Sequence, residues 1–418
     1  MQRISQTLVF LWLLIATVSP VLAQKGKGKG GGGGDNGGDP PLPLPAVRYL
    51  LTFPDLPPET SGGHYVNDIN NAGQVVGWFR TSETIGWEAF VYDPTWNEAV
   101  LLRNLVDTRN LPTGFILASA IGINDHGVLV GYLQNADGDR LPYAVDLSLD
   151  NPVVDLLPTA GFNYSMARKI NNRGEIVGYY GDGTGANPGT GSTWYLDPGI
   201  YGEPELRDIR DGDQDGLEDA LPLDLSAGSL LLLGSILGAA DSYSFISNPS
   251  HGQPAAITGS AGGVLYRIPT VSLVPEFLSA DELDVGSGPA GIDSQNDIVG
   301  RGSVPSGRKN RRTFVNFRYT ESLQVLPVTR TPEDVNDAGD ILLGSNSGGS
   351  IYRDWYDGNG PREVEIADLL VGSAADLALL LSADNFTCLR ISNGAIVGGA
   401  FYADTSSRRL FVLFEVPN

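Results

Sequence analysis

One short segment recurs along this chain, and its recurrence limits the possible folds more than any other property. INNAGQVVGW begins at Ile69, INDHGVLVGY at Ile123 and INNRGEIVGY at Ile170. IDSQNDIVGR follows at Ile292, VNDAGDILLG at Val335 and ISNGAIVGG at Ile391. A degenerate copy runs from Ile246 to Gly259, where a Gly-Gln-Pro insert replaces the tight turn. Each copy continues through a polar loop into an aromatic-rich run, from EAFVYDP in the first to RLFVLFEVP in the last. A further short apolar run then follows, as in AVLLRNL, SLQVLPV and REVEIADLL.

The local chemistry of the segment identifies the unit. Asn70 opens a turn by bonding its own backbone, and Gly73 supplies the positive φ such a turn requires. Val66 and Ile69 before the turn, with Val75 and Val76 after it, complete a hairpin pattern. Gly77, Gly131, Gly178 and Gly300 end the second strand, where the absence of a Cβ lets neighbouring backbone come close. These repeated Asn and Gly residues are therefore folding devices, because chemistry resides in singular sites. The aromatic residues Phe90, Tyr92, Trp194, Tyr195, Phe314, Phe317, Trp355 and Phe411 recur on the third strand and read as core.

Each unit thus comprises four short strands, at intervals of roughly 43 to 56 residues apart from one longer gap, a period that suits a propeller blade better than a solenoid. The predicted fold is all-β, with about seven four-stranded repeats in a β-propeller. The last copy stops after its third strand, FVLFEVP, while an orphan strand of the fourth type, YLLTFPDL at 49–56, precedes the first. Pairing of this N-terminal strand with the C-terminal repeat is expected to close the ring and remove two exposed edges. Segment 367–386 has helical propensity, although its place in the repeat assigns it a strand.

The repeat resembles the HAF-type repeats of bacterial secreted proteins, whose pattern is approximately A-x-x-IN-x-x-G-x-IVG followed by an A-F-x-W/Y strand. Ala120 with Ile123, Asn124 and Gly127 sits on that pattern, as do Ala89 and Phe90. The resemblance covers most of residues 46–418 and implies an exported repeat protein without specifying an activity. The degenerate fourth copy and Asp293, in place of Asn in the fifth, depart from it.

The N-terminus agrees with export. Arg3, the apolar run Leu8–Val18, Pro20 and the small residue Ala23 form a signal peptide pattern, with cleavage expected near Ala23. Residues 24–45 are a Gly- and Pro-rich linker with nothing to bury. Domain 46–418 follows, carrying an inserted acidic loop at 202–224. The formal net charge of −22 disfavours nucleic acid and anionic lipid. The remaining apolar runs are too short to cross a bilayer, so no membrane insertion of the mature chain is expected. The single cysteine, Cys388, reads as a buried, inert thiol.

Within the insert, Asp211, Asp213, Asp215 and Asp219 alternate around Gly216, with Leu217 offering a carbonyl, as in a calcium loop. Pro222 stands where the twelfth-position Glu of an EF-hand would be, so the run is closer to the Asp-rich loops of thrombospondin type 3 repeats. Calcium is the expected cofactor, with no organic cofactor. His64, His126 and His251 lack metal spacing, and no nucleophile motif is present, so no catalytic residue is assigned. Trp87 and Trp96 flank the third strand of the first copy without counterparts in most others and are candidates for a carbohydrate-stacking surface. Arg308, Lys309, Arg311 and Arg312 crowd one loop, a possible anionic docking point. Asn163 and Asn385 lie in glycosylation sequons. The functional expectation is a secreted binding or scaffold module for an extracellular protein or glycan. The alternatives are a polysaccharide-active enzyme on the same fold and a structural surface or matrix protein.

Overall fold

The computed structural model describes residues 47–417 with internal interruptions, the longest at 209–244. Strand β1 (Val47–Thr52) precedes a four-stranded sheet of β2 (Thr60–Ile69), β3 (Val75–Thr81), β4 (Trp87–Asp93) and β5 (Glu98–Leu101). Next come β6 (Ile116–Ile123), β7 (Val128–Gln134), β8 (Arg140–Asp146) and β9 (Asp155–Leu156). The following set is β10 (Tyr164–Ile170), β11 (Ile176–Gly181), β12 (Ser192–Asp197) and β13 (Glu205–Asp208). One parallel pair, Tyr164 opposite Arg140, joins these two sets into an eight-stranded sheet.

Three further four-stranded sheets follow. They are β14 (Phe245–Ile246) to β17 (Glu276–Phe277) through β15 (Ala256–Ala261) and β16 (Val264–Pro269); β18 (Asp284–Ile292), β19 (Ile298–Pro305), β20 (Arg312–Tyr319) and β21 (Leu323–Val325); and β22 (Pro332–Val335), β23 (Ile341–Leu343), β24 (Ser350–Asp354) and β25 (Pro361–Glu365). Helix α1 (Ile366–Leu369), strand β26 (Leu370–Val371) and helix α2 (Ala374–Leu381) lead to β27 (Asn385–Ile391), β28 (Ala395–Tyr402) and β29 (Ser407–Pro417). The last sheet has the order β26-β1-β29-β28-β27, with β1 antiparallel to β29 from Val47 opposite Pro417 to Thr52 opposite Val412. The arrangement is an all-β propeller in which five blades stand as separate sheets.

The turn forms as its residues dictate. Asn70 Oδ1 accepts from the N–H groups of Ala72 and Gln74, and Gly73 takes φ +77°. Asn124, Asn171 and Asn336 repeat the bonds. In the fifth copy Asp293 Oδ1 accepts from Gln295 and Asn296 replaces the glycine at φ +65°. Even the degenerate copy pairs Ile246 with Ile257, using Ser247 Oγ as acceptor for the Ala256 N–H.

In five copies the first strand carries a β-bulge opposite the second-strand glycine, and β22 carries one opposite Leu343; the bulge inserts one residue and re-aims the next side chain. Register slips between Val66 and Asp68, Ala120 and Gly122, Ala167 and Lys169, and Cys388 and Arg390. A Cβ on Gly77 would lie 2.0 Å from the Tyr65 carbonyl oxygen, and one on Gly131 2.0 Å from that of Ser119. At these two positions the glycine makes room for the bulged backbone.

Apolar clusters fill the spaces between sheets. Val76, Ala89 and Val91 pack with Leu117, Leu129 and Tyr143, while Phe79, Phe90 and Tyr92 pack with Val397, Leu410 and Val412. Phe90, Tyr92, Phe317 and Phe411 are buried, as a core role requires. The side chains of Trp194, Tyr195, Phe314 and Trp355 lie outside the described residues. Cys388 is free and buried, and burial pushes its thiol up. The strand assigned to 367–386 gives way to helix over Ala374–Leu381. Ser373 caps it by accepting from the Asp376 N–H, and Leu380 anchors it in the core.

Candidate functional site

Two places bring singular side chains together. The first is a cavity of about 90 Å³ to which each copy contributes, through Asp68, Asp125, Lys169, Asn248, Gly291, Asp334 and Ile391 among others. The bulge determines its chemistry. The residue two before each turn Asn varies, and in four copies it is charged: Asp68, Lys169, Asp334 and Arg390. Asp68 Oδ1 pairs with Lys169 Nζ at 2.7 Å, and its Oδ2 accepts from the Ile123 N–H. Asp334 Oδ2 accepts from the Ile391 N–H. Burial pushes the Asp334 carboxyl up to about 6, against the opposing pull of Arg390 and Lys169.

Beside this quartet the turns bond one another. Asn70 Nδ2 donates to the Asn124 carbonyl at 2.9 Å, Asn124 to that of Asn171 at 3.0 Å, and Asn171 to that of Ser247 at 3.1 Å. Asn336 Nδ2 donates to the Ser392 carbonyl, and the Asn393 N–H donates to Asn71 Oδ1 at 2.8 Å. Where Asp293 lacks the amide donor, Arg318 occupies its free oxygen at 2.5 Å. Asp337 accepts from Asn248, and burial raises its carboxyl to about 6. The cavity has room for a few water molecules and falls well short of the roughly 300 Å³ at which small-molecule pockets begin. Its carboxylates hold neighbouring copies together.

The second place lies at the far end of β2. A cleft of about 270 Å³ is lined by His64 and Tyr65 of the first copy and by Asn385, Thr387, Gly399, Phe401 and Arg408 of the last. Tyr65 stacks on Trp78 with centroids 5.8 Å apart and planes at 12°, and Trp78 meets Trp87 at 4.2 Å. Tyr65 and Trp87 are 43% and 41% exposed. Arg408 lies 5.9 Å over Phe401. His64 is buried edge-on against Phe79, and burial, aided by Arg408, lowers its pKa to about 4, so it is neutral at physiological pH.

Of the residues singled out from sequence, Trp87 joins this surface. Trp96 does not, since it sits in the turn after β4, where its N–H donates to the Asp93 carbonyl. His126 occupies a turn and bonds Asn124. Asn163 donates to Asp139, and Asn385 lies in the cleft wall. Asp211, Asp213, Asp215, Leu217, Asp219, His251, Arg308, Lys309 and Arg311 lie outside the described residues, as does the Arg312 side chain. Sequence reasoning missed Asp68, Lys169, Asp334, Arg390, Tyr65, Trp78, Phe401 and Arg408. The signal for the first four was their shared position two residues before the turn.

No family model matches this chain, and no curated protein matches it. Solved structures resemble it at low identity. Acylaminoacyl peptidase of Pyrococcus horikoshii aligns at a TM-score of 0.44 and 11% identity over 86% of this chain and 53% of that one. A sialidase of Trypanosoma rangeli aligns at 0.39 and 8% over 89% and 59%. An ulvan lyase of a polysaccharide lyase family aligns at 0.38 and 11% over 88% and 94%. The chain spans about half the length of the peptidase, and likenesses at these scores carry no argument about function. The chain is a β-propeller repeat protein, and among its described residues no helix is long and apolar enough to cross a membrane.

Proposed function

We propose that this chain is an exported, non-catalytic binding module on a closed seven-bladed ring, with a HAF-type repeat in each blade. Support for the ring comes from the cavity to which each of seven copies contributes, the β1–β29 pairing and the Asn393–Asn71 bond. In this reading the eight-stranded sheet is two blades sharing one edge pair. The signal peptide is removed near Ala23, residues 24–45 act as a spacer, and the mature chain meets an extracellular glycan or protein. Calcium binds at Asp211, Asp213, Asp215, Leu217 and Asp219 to order the inserted loop.

The observation that carries the non-catalytic reading is the engagement of the cavity acids with backbone or cations of other copies. The rival enzyme would rely on Asp334, a carboxyl held near 6 and so suited to proton transfer. Against it stand the Ile391 bond and a cavity too small for a sugar ring. The test is to incubate the mature chain with a panel of extracellular polysaccharides and measure new reducing ends or unsaturated products. Absence of turnover is expected; turnover abolished by Asp334→Asn would reverse the assignment. Thermal melts with calcium and with chelator test the loop, and identical melting temperatures would remove the metal.

A further inference from the structure

We propose that the cleft between β2 and the β27–β29 hairpins, with the aromatic ladder beside it, binds a segment of an acidic, uronate-bearing polysaccharide. The inference rests on the binding-module reading and names its ligand class. Tyr65, Trp78 and Trp87 form a contiguous aromatic row, in which Tyr65 and Trp78 are stacked with nearly parallel planes and Trp87 leans on Trp78 at 54°. The rings at either end are exposed, whereas Phe79 and Phe90 in the same sheet are buried. Large aromatic faces left in water mark an interaction surface when they lie together rather than singly.

A pyranose ring presents a face of C–H groups, which stacks on an aromatic plane, and a rim of hydroxyls, which needs hydrogen-bonding groups nearby. Tyr65 belongs both to the ladder and to the cleft, so a chain lying on Trp87 and Trp78 runs into the pocket. There Asn385 and Thr387 offer donors and acceptors for hydroxyls. The cleft wall supplies the charge preference. Arg408 is exposed and held against Phe401, and at physiological salt the net −22 of the chain is screened beyond roughly 8 Å, so this local cation sets the preference at contact. A guanidinium presents two parallel N–H groups to a carboxylate, the match that selects a uronate over a neutral sugar. His64 borders the cleft as a neutral ring, so the charge preference rests on Arg408.

The test uses the full mature chain, titrated with hexameric oligomannuronate and with neutral mannohexaose of the same linkage. Oligomannuronate is expected to bind and mannohexaose to bind at least tenfold more weakly. Trp87→Ala is expected to weaken oligomannuronate by roughly tenfold or more, the scale of an aromatic anchor. Trp96→Ala, equally exposed but outside the surface, should leave affinity unchanged. Arg408→Gln should erase the preference for the acidic chain while retaining mannohexaose binding. Cooperative melts within a few degrees of the wild type confirm that the variants fold. No oligomannuronate binding, equal affinity for both hexamers, or equal effects of the two Trp variants would each overturn the proposal. Cleavage of the bound hexamer would instead defeat the non-catalytic reading and leave the site standing.

Discussion

The two ends of β2 obey opposite rules. Near the turn, Asp68 and Asn70 are buried and engaged with other copies, and their counterparts in most copies behave alike. At the other end, Tyr65 is exposed beside Trp78, on the aromatic position that Tyr132 and Tyr179 also fill, and beside Trp87, which has no counterpart in most copies. One strand thus carries an interior joint at one end and a singular surface at the other. Repetition marks what holds the copies together, and departure from repetition marks what the molecule can offer to a partner. Substitutions at the joint should therefore cost stability, and substitutions at the surface should cost recognition.

The largest effect is expected from Gly131→Ala. Its Cβ would meet the Ser119 carbonyl at 2.0 Å, backbone against backbone, so relief requires undoing the bulge. A loss of about 3–5 kcal/mol in urea unfolding is predicted; a loss under about 1 kcal/mol would mean that the joint tolerates a side chain there. Next comes Asn124→Ala, which takes the acceptor from the N–H groups of His126 and Val128 and leaves the Asn171 carbonyl with the Gly174 N–H alone, at about 2–4 kcal/mol. Asn124→Asp keeps the acceptor and loses only the donor, so it should cost less. The Asp293 copy manages that loss by recruiting Arg318.

The turn end was legible in sequence because its chemistry is local. Asn70 bonds groups two and four residues away, and the same spacing recurs copy after copy. The charged quartet was not legible, since Asp68 and Lys169 are 101 residues apart and meet only when several sheets are arranged together. Helix α2 was half legible: Ser373 followed by Asp376 is a capping signal, but the repeat pattern argued for a strand. The cleft was partly legible through Trp87. Its other wall belongs to the last copy, more than 300 positions away, and Trp96 misled because exposure alone does not place two rings on one surface.

The joint should also respond to pH. Asp334 and Asp337 both have folded pKa values raised to about 6, by burial first, with Asp125 and Asp293 adding to the shift at Asp337. A raised carboxyl means that the folded state holds its proton more tightly than the unfolded chain. Stability from these groups is therefore greatest below the unfolded value near 4, falls as pH rises to 6, and is level above it. Asp337→Asn removes one titrating group and can join the amide belt, so the fall between pH 4 and 6 should lessen by about 1–2 kcal/mol. Equal slopes in the two proteins would show that Asp337 is not buried as described.

The smallest effect tests the surface end from the side of stability. Trp87 rests on Trp78 and covers part of it, so Trp87→Ala should lower unfolding free energy by about 1 kcal/mol or less, the scale of one partly exposed aromatic contact. Trp96 projects from a turn held by Asp93, whose Oδ1 accepts from Thr95 whether or not an indole follows. Trp96→Ala should therefore stay within about 0.5 kcal/mol of the wild type. The comparison fails if either Trp substitution matches Asn124→Ala in urea, because the ladder would then be part of the joint. Small and unequal losses, with Trp87 the larger, would leave the aromatic row free to serve a ligand, since removing it disturbs little of the sheet beneath.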